Sequence, residues 1–224
     1  GLPQILDSGY ILCWAAKWYG EKEVAFDSIN QSKATPMLKG IHKMLDEADA
    51  VVHYNGTKFD IPTLNKEFLL HGLTPPSPYR QIDLLTVARG RFRFASNKLA
   101  YVAKQLGLGA KTSHVGHELW INCMNGDEAA WKTMETYNKQ DVNLLEKLYD
   151  KLLPWIKNHP NHGTYSDTDK LVCPNCGGGN HTRKGFAYTK LQKYQQFRCK
   201  DCGTWFRKSV TETKKGMEKF LTIT

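Results

Sequence analysis

The run Ala50-Val51-Val52-His53 gives way to Tyr54-Asn55-Gly56-Thr57-Lys58-Phe59-Asp60, so an apolar stretch breaks into a polar turn that ends on a carboxylate. This pattern predicts a buried strand that delivers an aspartate to a strand-to-helix junction. Asp46, Glu47 and Asp49 close a helical pattern before it, Asn55-Gly56 supplies turn chemistry, and Pro62 suits the first turn of a helix from Pro62 to Leu70. Ligands of α/β proteins bind beyond the carboxyl ends of strands, which makes Asp60 a candidate for a site. On this stretch alone it reads equally as a helix cap.

A second stretch, Met134-Glu135-Thr136-Tyr137-Asn138-Lys139-Gln140-Asp141, spaces Tyr137 and Asp141 four residues apart. On a continuous helix a phenol and a carboxylate then share one face, one turn apart. Asn55 to Asp60 and Tyr137 to Asp141 together resemble the second and third motifs of the DnaQ-like 3'-5' exonucleases of the DEDDy type, Asn-x(2-3)-Phe/Tyr-Asp and Tyr-x-x-x-Asp. With Arg91-Phe92-Arg93-Phe94 and Ser96-Asn97-Lys98-Leu99, the chain is similar to the PolB-like predicted exonucleases of phage and bacterial genomes, over roughly residues 11 to 156.

The resemblance implies an α/β fold with a ribonuclease H-like mixed sheet flanked by helices, and 3'-5' hydrolysis of nucleic acid, single-stranded DNA before RNA. It implies two Mg²⁺ or Mn²⁺ ions held by Asp60 and Asp141, with Tyr137 orienting the attacking water. Asn55 and Phe59 would shape the pocket or touch the terminal nucleotide. The family's first motif, Asp-x-Glu on the opening strand, has no match upstream of Ile11: Asp7 is followed by Ser8-Gly9, and Glu21-Lys22-Glu23 falls in an expected turn. The opening strand is therefore expected to be missing and the chain alone nearly inactive.

The remaining elements follow from pattern. Tyr10 to Tyr19 and Glu23 to Phe26 read as strands, and Met37 to Ala48 as a helix with apolar residues on one face. Asp83 opens a helical pattern through Ala88. In Arg89-Gly90-Arg91-Phe92-Arg93-Phe94 the basic and aromatic residues suit phosphate contact and base stacking, or equally a basic strand edge with two buried phenylalanines. Ser96-Asn97 is read as capping a helix from Lys98 to Leu106. His114 and His117 are placed in a polar loop. A helix is expected from Gly126-Asp127 to about Asn138, and its continuation from Asp141 to Lys157 buries Val142, Leu144, Leu145, Leu148, Leu152 and Leu153, with Pro154 bending or ending it.

Residues 158 to 169 are polar and rich in Pro and Gly, the composition of a linker. Beyond them Cys173-Pro174-Asn175-Cys176 and Cys199-Lys200-Asp201-Cys202 form two knuckles with the spacing of a four-thiolate Zn²⁺ site, and the spacer alternates well enough for a hairpin. This segment looks like a zinc ribbon, and Gln196 to Phe206 resembles the ribbons of insertion-sequence transposases. The expected domains are thus residues 1–157, a ribonuclease H-like exonuclease domain; 158–169, linker; 170–210, a zinc ribbon with one structural Zn²⁺; and 211–224, a tail.

Charge separates the same two parts. Of the net +9, residues 170 to 215 carry eleven Lys and Arg against Asp201 and Glu212, while residues 1 to 169 balance nineteen of each sign. A polyanion is the natural partner of such a segment, with Arg198, Lys200, Arg207 and Lys208 as contacts there and Arg91, Arg93 and Lys98 in the first domain. No run reaches the length of a membrane span, and the paired cysteines favour metal over disulfides in a reducing compartment, so a cytoplasmic, non-membrane protein is expected. Two other functions remain open: a nucleic-acid-binding protein with a degenerate nuclease fold, and a transposase fragment.

Overall fold

The structure, a computed structural model, describes residues 9–109, 117–165 and 170–212. The chain divides into two compact units, Gly1–Leu152 and Leu153–Thr224.

The first unit is a mixed α/β arrangement. Strand β1 (Cys13–Ala16) pairs antiparallel with β2 (Ala25–Ser28), and β3 (Ala50–His53) pairs parallel with β4 (Arg80–Asp83). Among the described residues these two ladders remain separate sheets, so β1 and β3 each pair along one edge. Six helices accompany them among the described residues: α1 (Ala34–Glu47), α2 (Asp60–Leu70), α3 (Leu84–Arg91), α4 (Leu99–Gln105), α5 (His117–Met124) and α6 (Glu128–Leu152).

Strand β1 lies between two apolar layers because its side chains alternate. Trp14 and Ala16 join Met37, Leu38, Ile41, Leu45 and Phe68, the buried faces of α1 and α2. The Trp14 indole donates to the Met37 carbonyl at 2.8 Å, and a Cβ on Gly40 would meet its ring at 2.9 Å, so the glycine lets the indole lie on α1. Cys13 faces the other way and, with Leu12 just before the strand, packs with Leu119 and Cys123 of α5 and Ala130, Trp131 and Met134 of α6. Helices thus cover both faces of the strand.

Several expectations are revised. Arg80-Gln81-Ile82-Asp83, unassigned by pattern, is a strand. Arg89 to Phe94 is no strand edge: Arg89 and Arg91 close α3, and Phe92 and Phe94 pack on each other in the irregular segment beyond. His117 begins α5 and is not in a loop, whereas His114 lies outside the described residues. Asp127 caps α6 by accepting from Ala129 and Ala130, and the two helical runs expected around Asn138 are one helix of 25 residues that ends at Leu152, where Leu153–Trp155 turns into a 3-10 helix at Pro154.

The second unit is a three-stranded antiparallel sheet, β5 (His181–Tyr188), β6 (Lys193–Cys199) and β7 (Trp205–Arg207), in that order. Its core is small: Cys173, Phe197, Cys199 and Phe206, with the His181 ring edge-on to both phenylalanines. The buried Asn175 donates to the Leu153 and Ile156 carbonyls at 2.9 and 3.1 Å, which draws residues 153–156 into this unit. His162 donates its amide to Pro174 at 2.9 Å, so part of the expected linker also packs with the cysteine segment. No helix of the described residues is long and apolar enough to cross a membrane.

Candidate functional site

The turn between β3 and α2 is held from below by β4. Asn55 adopts φ 70°, a left-handed backbone that asparagine tolerates better than most residues, and its amide donates to Asp83 Oδ1 at 2.8 Å. The same carboxylate oxygen accepts from Leu85 at 3.0 Å and so caps α3. Gly56 donates to His53 Nδ1 at 3.1 Å, which leaves the ring proton of the neutral imidazole on Nε2, facing Gln81 Oε1 at 3.2 Å. Thr57 donates to that amide oxygen at 3.1 Å. A Cβ on Gly56 would stand 2.7 Å from His53 Cγ, so only glycine fits where the turn crosses the imidazole.

Asp60 follows as the first residue of α2. The helix begins two residues before the expected Pro62, its N-cap is Phe59, and no side chain caps it. The cap reading of Asp60 is therefore corrected: its backbone is already helical, and its carboxylate makes no hydrogen bond or ion pair among the described residues. Asp60 is exposed, as is Phe59 at 63%. Tyr54 ties the turn to the segment after α3 through a 2.7 Å hydrogen bond to the Asn97 carbonyl, and burial, opposed by Arg89 and aided by Asp83, pushes its phenol up to about 12.

Tyr137 and Asp141 stand one turn apart on unbroken helix α6. Met134, Tyr137, Asp141, Leu144, Leu148 and Leu152 recur at intervals of three or four, and the four apolar members are buried. A phenol and a carboxylate therefore interrupt the apolar stripe of α6, and both are half-buried. Elsewhere the helix is fixed by polar contacts: Asn138 donates to Cys13 Sγ at 3.7 Å, and Lys17 bridges to Glu146 at 2.6 Å. Helix α6 also packs against α3, whose first turn is capped by Asp83.

Sequence-predicted residues thus fall into groups. Asn55, Phe59 and Asp60 share the β3–α2 turn; Tyr137 and Asp141 share α6; no group of three or more carboxylate or imidazole ligands is assembled in this unit among the described residues. Arg91 is exposed at the end of α3, Arg93 just beyond it, and Lys98 is the exposed residue before α4. The supports of the turn, His53, Gln81 and Asp83, were not singled out as a set by pattern. The available signal was slight: a histidine ends the apolar run of β3 and a carboxylate ends the mostly polar β4, at partner positions of the β3–β4 register.

In the second unit the four sulfurs of Cys173, Cys176, Cys199 and Cys202 lie within 4.8 Å of one another, with the pairs 173–202 and 176–199 at 3.7 Å. A tetrahedral zinc with sulfur at ~2.3 Å needs sulfurs ~3.8 Å apart, so the donor set fits that ion in type, number and spacing. Burial pushes the Cys173 thiol up to about 11 and Cys176 in the same direction. Four thiolates this close require a cation between them. Arg198 and Arg207 are exposed on the sheet, Lys200 is exposed in the second knuckle, and Lys208 is half-buried beyond β7.

Comparison with curated proteins found no match. A protein-family model described as RNase_H_2, of the RNase_H superfamily, matches residues 9–153, which span β1 through α6 and so hold both the β3–α2 turn and the Tyr137–Asp141 face. The chain belongs to the RNase H superfamily.

Proposed function

We propose that the protein is a metal-dependent 3'-5' exonuclease whose C-terminal unit is a basic zinc ribbon that binds the nucleic-acid substrate. Membership of the RNase H superfamily suggests nuclease-type activity on nucleic acid. The observation that carries the finer reading is the polar pair Tyr137 and Asp141 in the otherwise apolar stripe of α6, taken together with Asp60, which opens the helix after β3. Packing of the stripe calls for apolar side chains at these two positions, and a catalytic role accounts for a phenol and a carboxylate there instead.

Asp60 and Asp141 offer hard oxygen donors of the kind Mg²⁺ and Mn²⁺ prefer, and two such ions supply charge stabilisation to an in-line phosphoryl displacement. In this reading Asp60 and Asp141 hold the cations. Tyr137 orients the attacking water, its phenol one helical turn from Asp141. Asn55, held at positive φ by Asp83, and the exposed Phe59 position the terminal nucleotide. Arg91, Arg93 and Lys98 contact phosphates further along the strand.

Two carboxylates leave a two-metal site short of negative charge. We place the remaining pair on a further strand, an Asp-x-Glu segment joining β1 and β3, each of which pairs along only one edge among the described residues. The test assays a labelled single strand with Mg²⁺ or Mn²⁺, using this chain and a longer form carrying such a strand. A 5'-labelled substrate should shorten stepwise in the longer form and hardly at all in the 224-residue chain. Internal cleavage, or no digestion by either form, would overturn the exonuclease reading.

A further inference from the structure

The outer face of the β5–β6–β7 sheet is ordered in a way that net charge alone does not require. Along β6, Gln195, Phe197 and Cys199 are buried, so Gln196 and Arg198 face outward. The register places Thr182, Arg198 and Trp205 in one cross-strand row and Gln196 beside Arg207 in the next. Each arginine meets an aromatic ring: Arg198 lies 6.0 Å from the centroid of Trp205, and Arg207 lies 3.9 Å from that of Tyr194. Trp205 is nevertheless 52% exposed, an indole left in water on a sheet whose other face already holds the core.

A cavity of about 340 Å³ is lined by Thr182, Lys184, Arg198, Cys199, Lys200 and Gly203, of which Thr182 and Arg198 belong to the cross-strand row of Trp205. Three cations and a hydroxyl converge there, and Lys184, Arg198 and Lys200 make no ion pair among the described residues. The nearby carboxylate, Asp201, is turned onto Gly178 and Cys199.

We infer that this face is a platform for single-stranded nucleic acid, with a backbone phosphate seated in the cavity against Lys184, Arg198 and Lys200 and a base stacked on Trp205. The inference rests on the reading of this unit as a nucleic-acid module and deepens it. A phosphate pocket alone would suit any phosphorylated ligand, but an exposed indole in the same row as the pocket's arginine matches the alternation of charge and ring in a polynucleotide. The strand must be single, because in a duplex the base faces are covered by their neighbours and the indole has nothing to stack on.

The experiment measures binding of the zinc-loaded full chain to a short labelled oligothymidine, to a duplex of the same length and to a phosphorylated peptide, across a salt series. The single strand should bind tightest. Trp205→Ala should weaken it about tenfold with the salt slope unchanged, and Trp205→Phe should restore most of the loss. Arg198→Ala and Lys200→Ala should each lower the log-log slope by about 0.7. Zinc content measured on every variant separates lost contacts from a lost fold. Loss of affinity in the lysine and arginine variants but not in Trp205→Ala would overturn the platform and leave the nucleic-acid module standing. Equal affinity for the duplex, or tighter binding of the phosphopeptide, would overturn the single-strand assignment. A wild-type chain that binds no oligonucleotide at low salt would overturn module and platform together.

Discussion

In the N-terminal unit Met37, Leu38, Phe68, Met134 and Leu148 are at most 2% exposed, and two apolar clusters grip opposite faces of β1. The C-terminal sheet has a buried cluster of four residues, two of them cysteines. One unit is held by removing apolar surface from water, the other is too small to do so and places four thiols where an ion can join them. In the proposed function metal therefore has different work in the two: it supplies charge for chemistry on a unit held by its apolar core, and it holds the small unit together.

The largest effect expected from breaking that contrast is removal of zinc. The chain should carry about one zinc, whose binding in comparable small sites is linked to ~10–16 kcal/mol of apparent folding free energy. A strong chelator, or Cys176→Ser, should abolish amide-exchange protection in β5, β6 and β7 and leave α1 to α6 protected. Less than about half an equivalent of zinc in material never exposed to chelator would count against the site.

The converse perturbation is Phe68→Ala, which empties a fully packed position between α1 and α2. It should destabilise the N-terminal unit by ~3–5 kcal/mol in denaturant unfolding while zinc content stays constant. Zinc loss in parallel would mean that the two units do not keep separate accounts of stability.

Smaller effects probe the turn that carries Asp60. Gly56→Ala drives a methyl group into the His53 ring, at a cost of ~1–3 kcal/mol and a displaced turn. Asp83→Ala removes the acceptor of the Asn55 and Leu85 amides and should cost ~1–2 kcal/mol, read from the unfolding midpoint of the same unit. A neutral outcome for both would show that the turn is held by its own backbone hydrogen bonds.

What could be read from sequence differs between the units for physical reasons. The cysteine site is written in local spacing, since each knuckle supplies two ligands from four consecutive residues. The helical face of Tyr137 and Asp141 is local too, fixed by the 3.6-residue period. The support beneath the Asn55 turn is not: His53 meets Gln81 and Asp83 through a parallel register, and β4 has one apolar residue, Ile82, that is buried. A strand that short leaves no period to detect. Arg89 to Phe94 left a strand edge and a phosphate-contacting segment equally open, because alternating basic and aromatic residues suit both; the strand-edge alternative falls, since Arg89 and Arg91 close α3 and Phe92 and Phe94 pack on each other.

The central claim is that Asp141 is catalytic within a unit that remains folded without its charge. The measurement is the digestion rate of a 5'-labelled single strand, with Mg²⁺, by the form carrying the additional carboxylate strand, with and without Asp141→Asn. The account predicts a loss of about a hundredfold or more with the unfolding midpoint and zinc content unchanged. Digestion at the unsubstituted rate by the folded Asp141→Asn protein would contradict it.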